Sequence, residues 1–177
     1  DSIGGLVCWI VQLLGTVPDW MDTVRRRPSD PGDDPFGRAV VEALRLAQAE
    51  YVYRHVRRPI SIDGFRIPRG WFFRLLVAES HRLDPPFARP EVYDPDRHRG
   101  RPFGGTDFAP FGFDRHACLG ARTTLAIARA FTERLVLASS WTVVADGPRE
   151  RGNRHWNHWR PSSRLRILLT PLGSPVR

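Results

Sequence analysis

Ten residues restrict this chain more than any others: Phe111-Gly-Phe-Asp-Arg-His-Ala-Cys118-Leu-Gly120, running straight into a helical stretch at Ala121. Gly112 and Gly120 permit tight turns and close approach of backbone to a planar ligand. Cys118 falls near a helix N-terminus, where the dipole and free N–H groups favour a negatively charged thiolate. Any fold that accommodates the segment must therefore present a sulfur at the head of a helix. The layout suits a thiolate that binds a metal on one face of a flat ligand. A lone cysteine at a helix start is usually an ordinary buried residue, so the weight rests on its surroundings.

At 177 residues the chain is one domain's worth by length. It opens at Asp1 inside an apolar run, without a methionine, and is expected to be the back portion of a larger protein. Cys8 and Cys118 sit in different contexts and imply no disulfide framework; a reducing compartment, hence a cytoplasmic location, is the expectation. All 27 lysine-plus-arginine positions are arginine, giving a net charge of +8. They are spread along the chain instead of forming one basic stripe, so nucleic acid is not expected as a partner. The apolar run from Ile3 to Val17 is too short for a membrane span and carries Gln12, so it reads as a buried helix.

Ile3 to Leu14 is apolar nearly all round and is closed by Gly15 and Pro18. Asp19 to Arg27 is amphipathic and ends in three arginines, and Ser29 to Phe36 is a linker. Residues 38–50 read as a helix. The period then changes: Ile60 to Ile67 alternates about Asp63-Gly64, a hairpin signal, and Trp71 to Val77 reads as a third strand. Strands are thus expected within 59–77, an irregular Pro-rich and cysteine-bearing loop over 84–120, a helix over 121–138 and C-terminal strands within 141–172. The expected architecture is mainly α with a minor antiparallel β-sheet. Cys8 reads as a small core residue. His155 and His158, with Trp156 and Trp159 between arginines, lack the partners of a zinc site.

Three more pieces share the chain in a particular order. Glu42-Ala-Leu-Arg45 is a Glu-x-x-Arg on a helix, Arg54 follows, and Pro90-Glu-Val-Tyr93-Asp-Pro95-Asp-Arg97 precedes the cysteine loop. A Glu-x-x-Arg alone is usually a solvated helical pair. In this order, together with the cysteine loop, the pieces resemble the cytochrome P450 family of heme-thiolate monooxygenases. The loop resembles the family's Phe-x-x-Gly-x-Arg/His-x-Cys-x-Gly signature at Phe111, His116, Cys118 and Gly120. It departs at Asp114, where the family usually has glycine.

The resemblance implies the C-terminal part of that fold, with residues 1–17 as the second half of its long central helix. It implies heme b (iron protoporphyrin IX) as cofactor and Cys118 as its iron ligand, with Phe111 packing beside the sulfur. A thiolate ligand pushes electron density onto iron and favours O–O cleavage. His116 and Arg54 would hydrogen-bond heme propionates, with Arg57 and Arg58 as rivals for the second role. Glu42, Arg45 and Arg97 would form a buried structural network holding the loop. Asp1 would relay protons, and Ser2 would place a hydroxyl over the distal face, although an Asp-Ser pair also suits a helix cap. Ala49, Glu50 and Tyr51 would line the substrate pocket. The implied reaction inserts one oxygen atom of O2 into a small organic substrate. Electrons would come from a ferredoxin- or flavodoxin-type partner or a reductase, docked on Arg115, Arg122 and the Arg97/Arg99/Arg101 cluster. The alternative is a truncated or degenerate heme-binding or interaction module without catalytic competence.

Overall fold

A computed structural model describes residues 2–26, 32–48, 51–84, 86–100, 108–112, 114–151 and 159–173. Helix α1 (Ser2–Leu14) buries Leu6, Trp9, Ile10 and Leu14, a spacing that puts all four on one helical face. Of the remaining positions Gly4 and Cys8 are exposed, so Cys8 does not join the core. The reason is angular: Cys8 lies between Leu6 and Trp9 in sequence but points away from the stripe they share. The chain bends by 92° into α2 (Pro18–Arg26), whose Met21 is buried. Arg25 of α2 reaches the end of another helix, donating to the carbonyls of Val136 (2.7 Å) and Ser139 (2.6 Å). Those are orphan acceptors that a helix C-terminus leaves open. No single helix among the described residues is long and apolar enough to cross a membrane.

Helix α3 (Pro35–Ala43) begins earlier than the expected 38, because Asp34 caps it by accepting the Gly37 N–H and Pro35 occupies the first turn. Nor does it run evenly to 50: a π-helical turn, Leu44–Gln48, widens its end, and Ala49 and Glu50 lie outside the described residues. Helix α5 (Ala121–Ala138) follows the cysteine loop and packs on α1 and α3. The buried core is shared by these three helices, with Tyr93 and Trp141 closing it.

The strands form four two-stranded antiparallel sheets among the described residues. The expected Asp-Gly hairpin is β2 (Ile60–Ile62) with β3 (Phe65–Ile67); Asp63 and Gly64 both take positive φ, 48° and 80°, the turn that matches strand twist. Two boundaries differ from expectation. A strand β1 (Val52–His55) precedes the hairpin and pairs with β4 (Phe72–Leu75), so the third strand does not extend the hairpin. Residues Val77–Ser80 are then a short helix, α4. Arg54 consequently lies on a strand, not before one. Pairing partners 17 to 23 residues apart leave no local signal, which is why only the hairpin shows in sequence. At the C-terminus β5 (Ser139–Ala145) pairs with β8 (Arg166–Pro171), and β6 (Glu150–Arg151) with β7 (Trp159–Arg160).

Candidate functional site

The best-defined polar cluster is built on Glu42, whose carboxylate is fully buried. Arg45 meets it with a two-pronged fork, Nε to Oε2 at 2.9 Å and Nη2 to Oε1 at 2.8 Å. The remaining Arg45 hydrogens go to the carbonyls of His81 (2.8 Å), Pro90 (2.7 Å) and Val92 (3.2 Å). All five guanidinium donors are thereby used, the condition under which a buried charge is tolerated. Glu42 Oε1 also accepts Arg97 Nε and the Asp94 N–H, both at 3.1 Å. Arg97 in turn donates to the carbonyls of Ala88, Arg89 and Val92. The network thus pins the Pro-rich segment 88–98 onto α3 through backbone carbonyls as much as through charge.

Sequence reasoning misses two members. His98, from the 3-10 turn Pro95–His98, places Nε2 at 2.8 Å from Glu42 Oε2. His81 is buried at the end of α4, its ring beside Phe108 and Phe87, and its Nε2 accepts the Ala109 N–H at 3.0 Å. Each is a single histidine in an irregular stretch, where no periodicity marks it. For His98 the adjacent Arg97 is the one available pointer.

Two of these groups make the fold acid-sensitive. Burial alone would raise the Glu42 carboxyl, but hydrogen bonds from Arg45 and His98 and the Arg45 charge outweigh it and hold it at about 2, against an ordinary 4.5. Burial, then the Arg45 charge, lowers His81 from 6.5 to about 4. In both cases the unfolded chain binds the proton more tightly, so stability decreases as pH decreases. The His81 contribution is present above 6.5 and lost as pH falls to about 4, and that of Glu42 is lost between 4.5 and about 2. Each corresponds to about 3 kcal/mol. Denaturant midpoints measured across this range in the full-length protein are expected to fall in two successive stages, and His81→Gln to remove the upper one.

The cysteine loop rises from an apolar pocket of about 160 Å³ formed by Val41, Leu44, Leu125 and residues 108–112 of the loop itself. It closes on its own backbone: Gly112 N–H donates to Ala109 O (3.0 Å), Ala117 N–H to Asp114 O (3.0 Å) and Cys118 N–H to Phe111 O (2.8 Å). Gly112 has φ +76°, and a Cβ there would lie 3.2 Å from the His116 carbonyl oxygen, so a side chain would strain the turn. Asp114 takes φ 47°, a left-handed conformation open to aspartate at some cost and free to glycine. The loop therefore adopts the backbone that the discordant residue makes less favourable, without losing the turn.

Residues 114–120 are exposed, Phe113 lies outside the described residues, and Cys118 carries a free, exposed thiol. Phe111 is half-buried against the core. Gly120 caps α5 without a side-chain bond, and the first turn holds no acid, so no carboxylate within that turn neutralises the positive end of the helix. Among the described residues no three His, Cys, Asp or Glu side chains gather as a metal site. A single thiolate is the one protein ligand needed by a metal that carries its other ligands with it, as iron in a porphyrin does. One open thiol, on a glycine-framed turn with a half-buried phenylalanine, fits that donor set.

The structure brings together Glu42, Arg45 and Arg97 in one cluster, and Phe111, His116, Cys118 and Gly120 in one loop. Arg54 stands apart on β1, where its Nη1 donates to Tyr53 O at 2.8 Å. Asp1 and the Ser2 side chain lie outside the described residues, as do Arg101, His155, Trp156 and His158. Arg97 is withdrawn from the supposed docking cluster: its side chain is 7% exposed and bonded to Glu42. Arg99, Arg115 and Arg122 are exposed.

A model of the cytochrome P450 family matches residues 36–166, which contain both clusters and most of the helical core, and the chain belongs to that family. Among curated proteins it is similar to abscisic acid 8'-hydroxylase 2 of Arabidopsis thaliana, 29% identical over 190 residues that span 97% of this chain and 39% of that protein. It is also similar to abscisic acid 8'-hydroxylase 3 of Oryza sativa subsp. indica, 27% identical over 162 residues, 81% of this chain and 32% of that protein. A six-coordinate cytochrome P450 from Thermus thermophilus superposes with a TM-score of 0.76 at 23% identity, covering 96% of this chain and 44% of that one. The retinoic acid-bound cyanobacterial CYP120A1 gives 0.79 at 21% identity, covering 97% of this chain and 43% of that one. The chain spans less than half the length of each of these relatives.

Proposed function

We propose that the protein of which this chain is part is a heme-thiolate monooxygenase that inserts one oxygen atom of O2 into a small organic substrate. The observation that carries the reading is the open Cys118 thiol at the head of α5, on a turn held by Cys118 N–H to Phe111 O. Membership of the cytochrome P450 family and similarity to proteins named as hydroxylases support it. When bound, heme supplies oxygen activation and O–O cleavage. In this reading Cys118 Sγ holds the iron, and Phe111 and Gly120 shield the sulfur. His116 and Arg54 hydrogen-bond the propionates; an arginine fork suits a carboxylate. Ser2 and Asp1, whose side chains lie outside the described residues, would supply a hydroxyl and a proton-carrying carboxyl. Glu42, Arg45 and Arg97 keep the loop in place without entering the reaction.

Electrons come from an acidic ferredoxin- or flavodoxin-type donor or a reductase, for which Arg99, Arg115 and Arg122 offer exposed positive charge. The free thiol calls for a reducing compartment, and the cytoplasm is the proposed location.

The test uses the full-length protein loaded with heme, reduced and exposed to carbon monoxide. A strongly red-shifted Soret band is expected, together with one labelled atom in the product when isotope-labelled O2 and electrons are supplied; abscisic acid is the first substrate to try. Absence of the band overturns the reading. A band with no oxygen incorporation across a broad substrate panel points instead to a degenerate heme-binding module.

A further inference from the structure

The Glu42 cluster and the cysteine loop are built from different segments, but one residue touches both. Arg45 Nη1 donates to the His81 carbonyl at 2.8 Å, and the His81 ring accepts the Ala109 N–H on Nε2 at 3.0 Å. Ala109 is the root of the loop: its carbonyl takes the Gly112 N–H, and the next closure is Cys118 N–H on Phe111 O. An unbroken series of bonds thus runs from Glu42 through Arg45 and both polar faces of His81 to the turn that carries the sulfur.

The chemistry of the ring argues that the bond is the reason for the histidine. Because Nε2 accepts from an amide, the ring proton sits on Nδ1. His81 is 1% exposed, and its remaining ring nitrogen has at most a weak interaction with the Arg45 backbone carbonyl, short of a full hydrogen bond. A buried polar group so weakly paired is costly. Packing against Phe87 and Phe108 alone would be served better by an apolar side chain of the same size. The residue that stands there is the one that can offer a buried, neutral acceptor at Ala109.

We propose that His81 is the positioning residue that anchors the root of the cysteine loop to the Glu42–Arg45 network. The proposal rests on the heme-thiolate reading only for its consequence at Cys118; the anchoring itself is a property of the chain.

The experiment compares His81→Phe, His81→Asn and His81→Gln in the full-length, heme-loaded protein, by amide hydrogen exchange and by the reduced carbon monoxide spectrum. Phenylalanine keeps the volume and removes the acceptor. Asparagine keeps polarity but is too short to reach Ala109, whereas glutamine is long enough. In His81→Phe and His81→Asn, exchange over residues 109–118 is expected to quicken by at least about tenfold, with little change in α5. Both variants should convert part of the red-shifted band to a shorter-wavelength form, and His81→Gln should restore wild-type behaviour. If His81→Phe does not accumulate, the Asn and Gln variants decide alone. Unchanged exchange over 109–118, a rise spread evenly across α1 and α5, or glutamine faring no better than asparagine would each overturn the proposal. A wild-type protein without the red-shifted band overturns the heme reading instead, and the exchange comparison still decides the anchoring.

Discussion

Replacing Cys118 with alanine is expected to abolish the thiolate-type spectrum and reduce oxygen insertion to background while leaving the fold intact. The two effects separate because of where the side chain lies. Cys118 is exposed, so truncation removes no core contact and opens no cavity. Its structural contribution to the loop is the backbone N–H given to Phe111 O, which alanine keeps. The change in unfolding free energy should therefore stay within about 0.5 kcal/mol, as for other surface substitutions. Under the proposed function, what is lost is the iron ligand. Cys118→Ser sharpens the test, because it preserves size and offers an oxygen. An oxygen ligand lacks the electron-donating character of a thiolate, so heme uptake with a displaced spectrum and little turnover is expected. Near-normal spectra in Cys118→Ala would remove the basis of the proposed function.

The opposite pattern, a large structural effect from a residue outside the chemistry, is expected at Arg45. Its guanidinium is buried with all its hydrogens bonded, to Glu42 and to three carbonyls from two later segments. Arg45→Ala takes the two-pronged partner from a buried carboxylate and leaves the His81 and Pro90 carbonyls without their donor, while Val92 O keeps Arg97. Breaking one side of a buried pair costs about 3–5 kcal/mol. Since whole domains are stable by only about 5–15 kcal/mol, the full-length variant should be recovered poorly or unfold at sharply lower denaturant. Arg97 and His98 still reach Glu42 and soften the loss of charge balance, but neither replaces the bonds to His81 and Pro90. Arg45→Lys retains the positive charge without the planar fork and should fall between wild type and alanine. Denaturant midpoints of the three proteins at neutral pH check the order, and an Arg45→Ala midpoint near wild type would show the cluster to be dispensable.

How much of this was readable without a structure differs from element to element. Helix α5 was legible as an element because a long run of helix-forming residues follows a glycine cap. The hairpin was legible because Asp63-Gly64 demands one turn type. The pairing of β1 with β4 was not, since short strands separated by a hairpin carry no mark of their partner. Cys8 shows the same limit in a helix. In an apolar run every position resembles core, and only the neighbouring helices decide which stripe is covered.

The site divides along similar lines. The cysteine, its glycines and the order of the Glu-x-x-Arg, Arg54 and Arg97 pieces are local patterns, so the sequence alone determined the family and the residue expected to bind iron. What only the tertiary structure decided is which of these residues meet. It joined His98 to Glu42, set His81 between Arg45 and Ala109, and withdrew Arg97 from the surface. Those facts depend on backbone carbonyls and amides arriving from distant segments, and every residue type carries the same amide. A sequence can specify a thiolate or a guanidinium by its letter, but the acceptor that completes a buried charge is chosen only when the chain has folded around it.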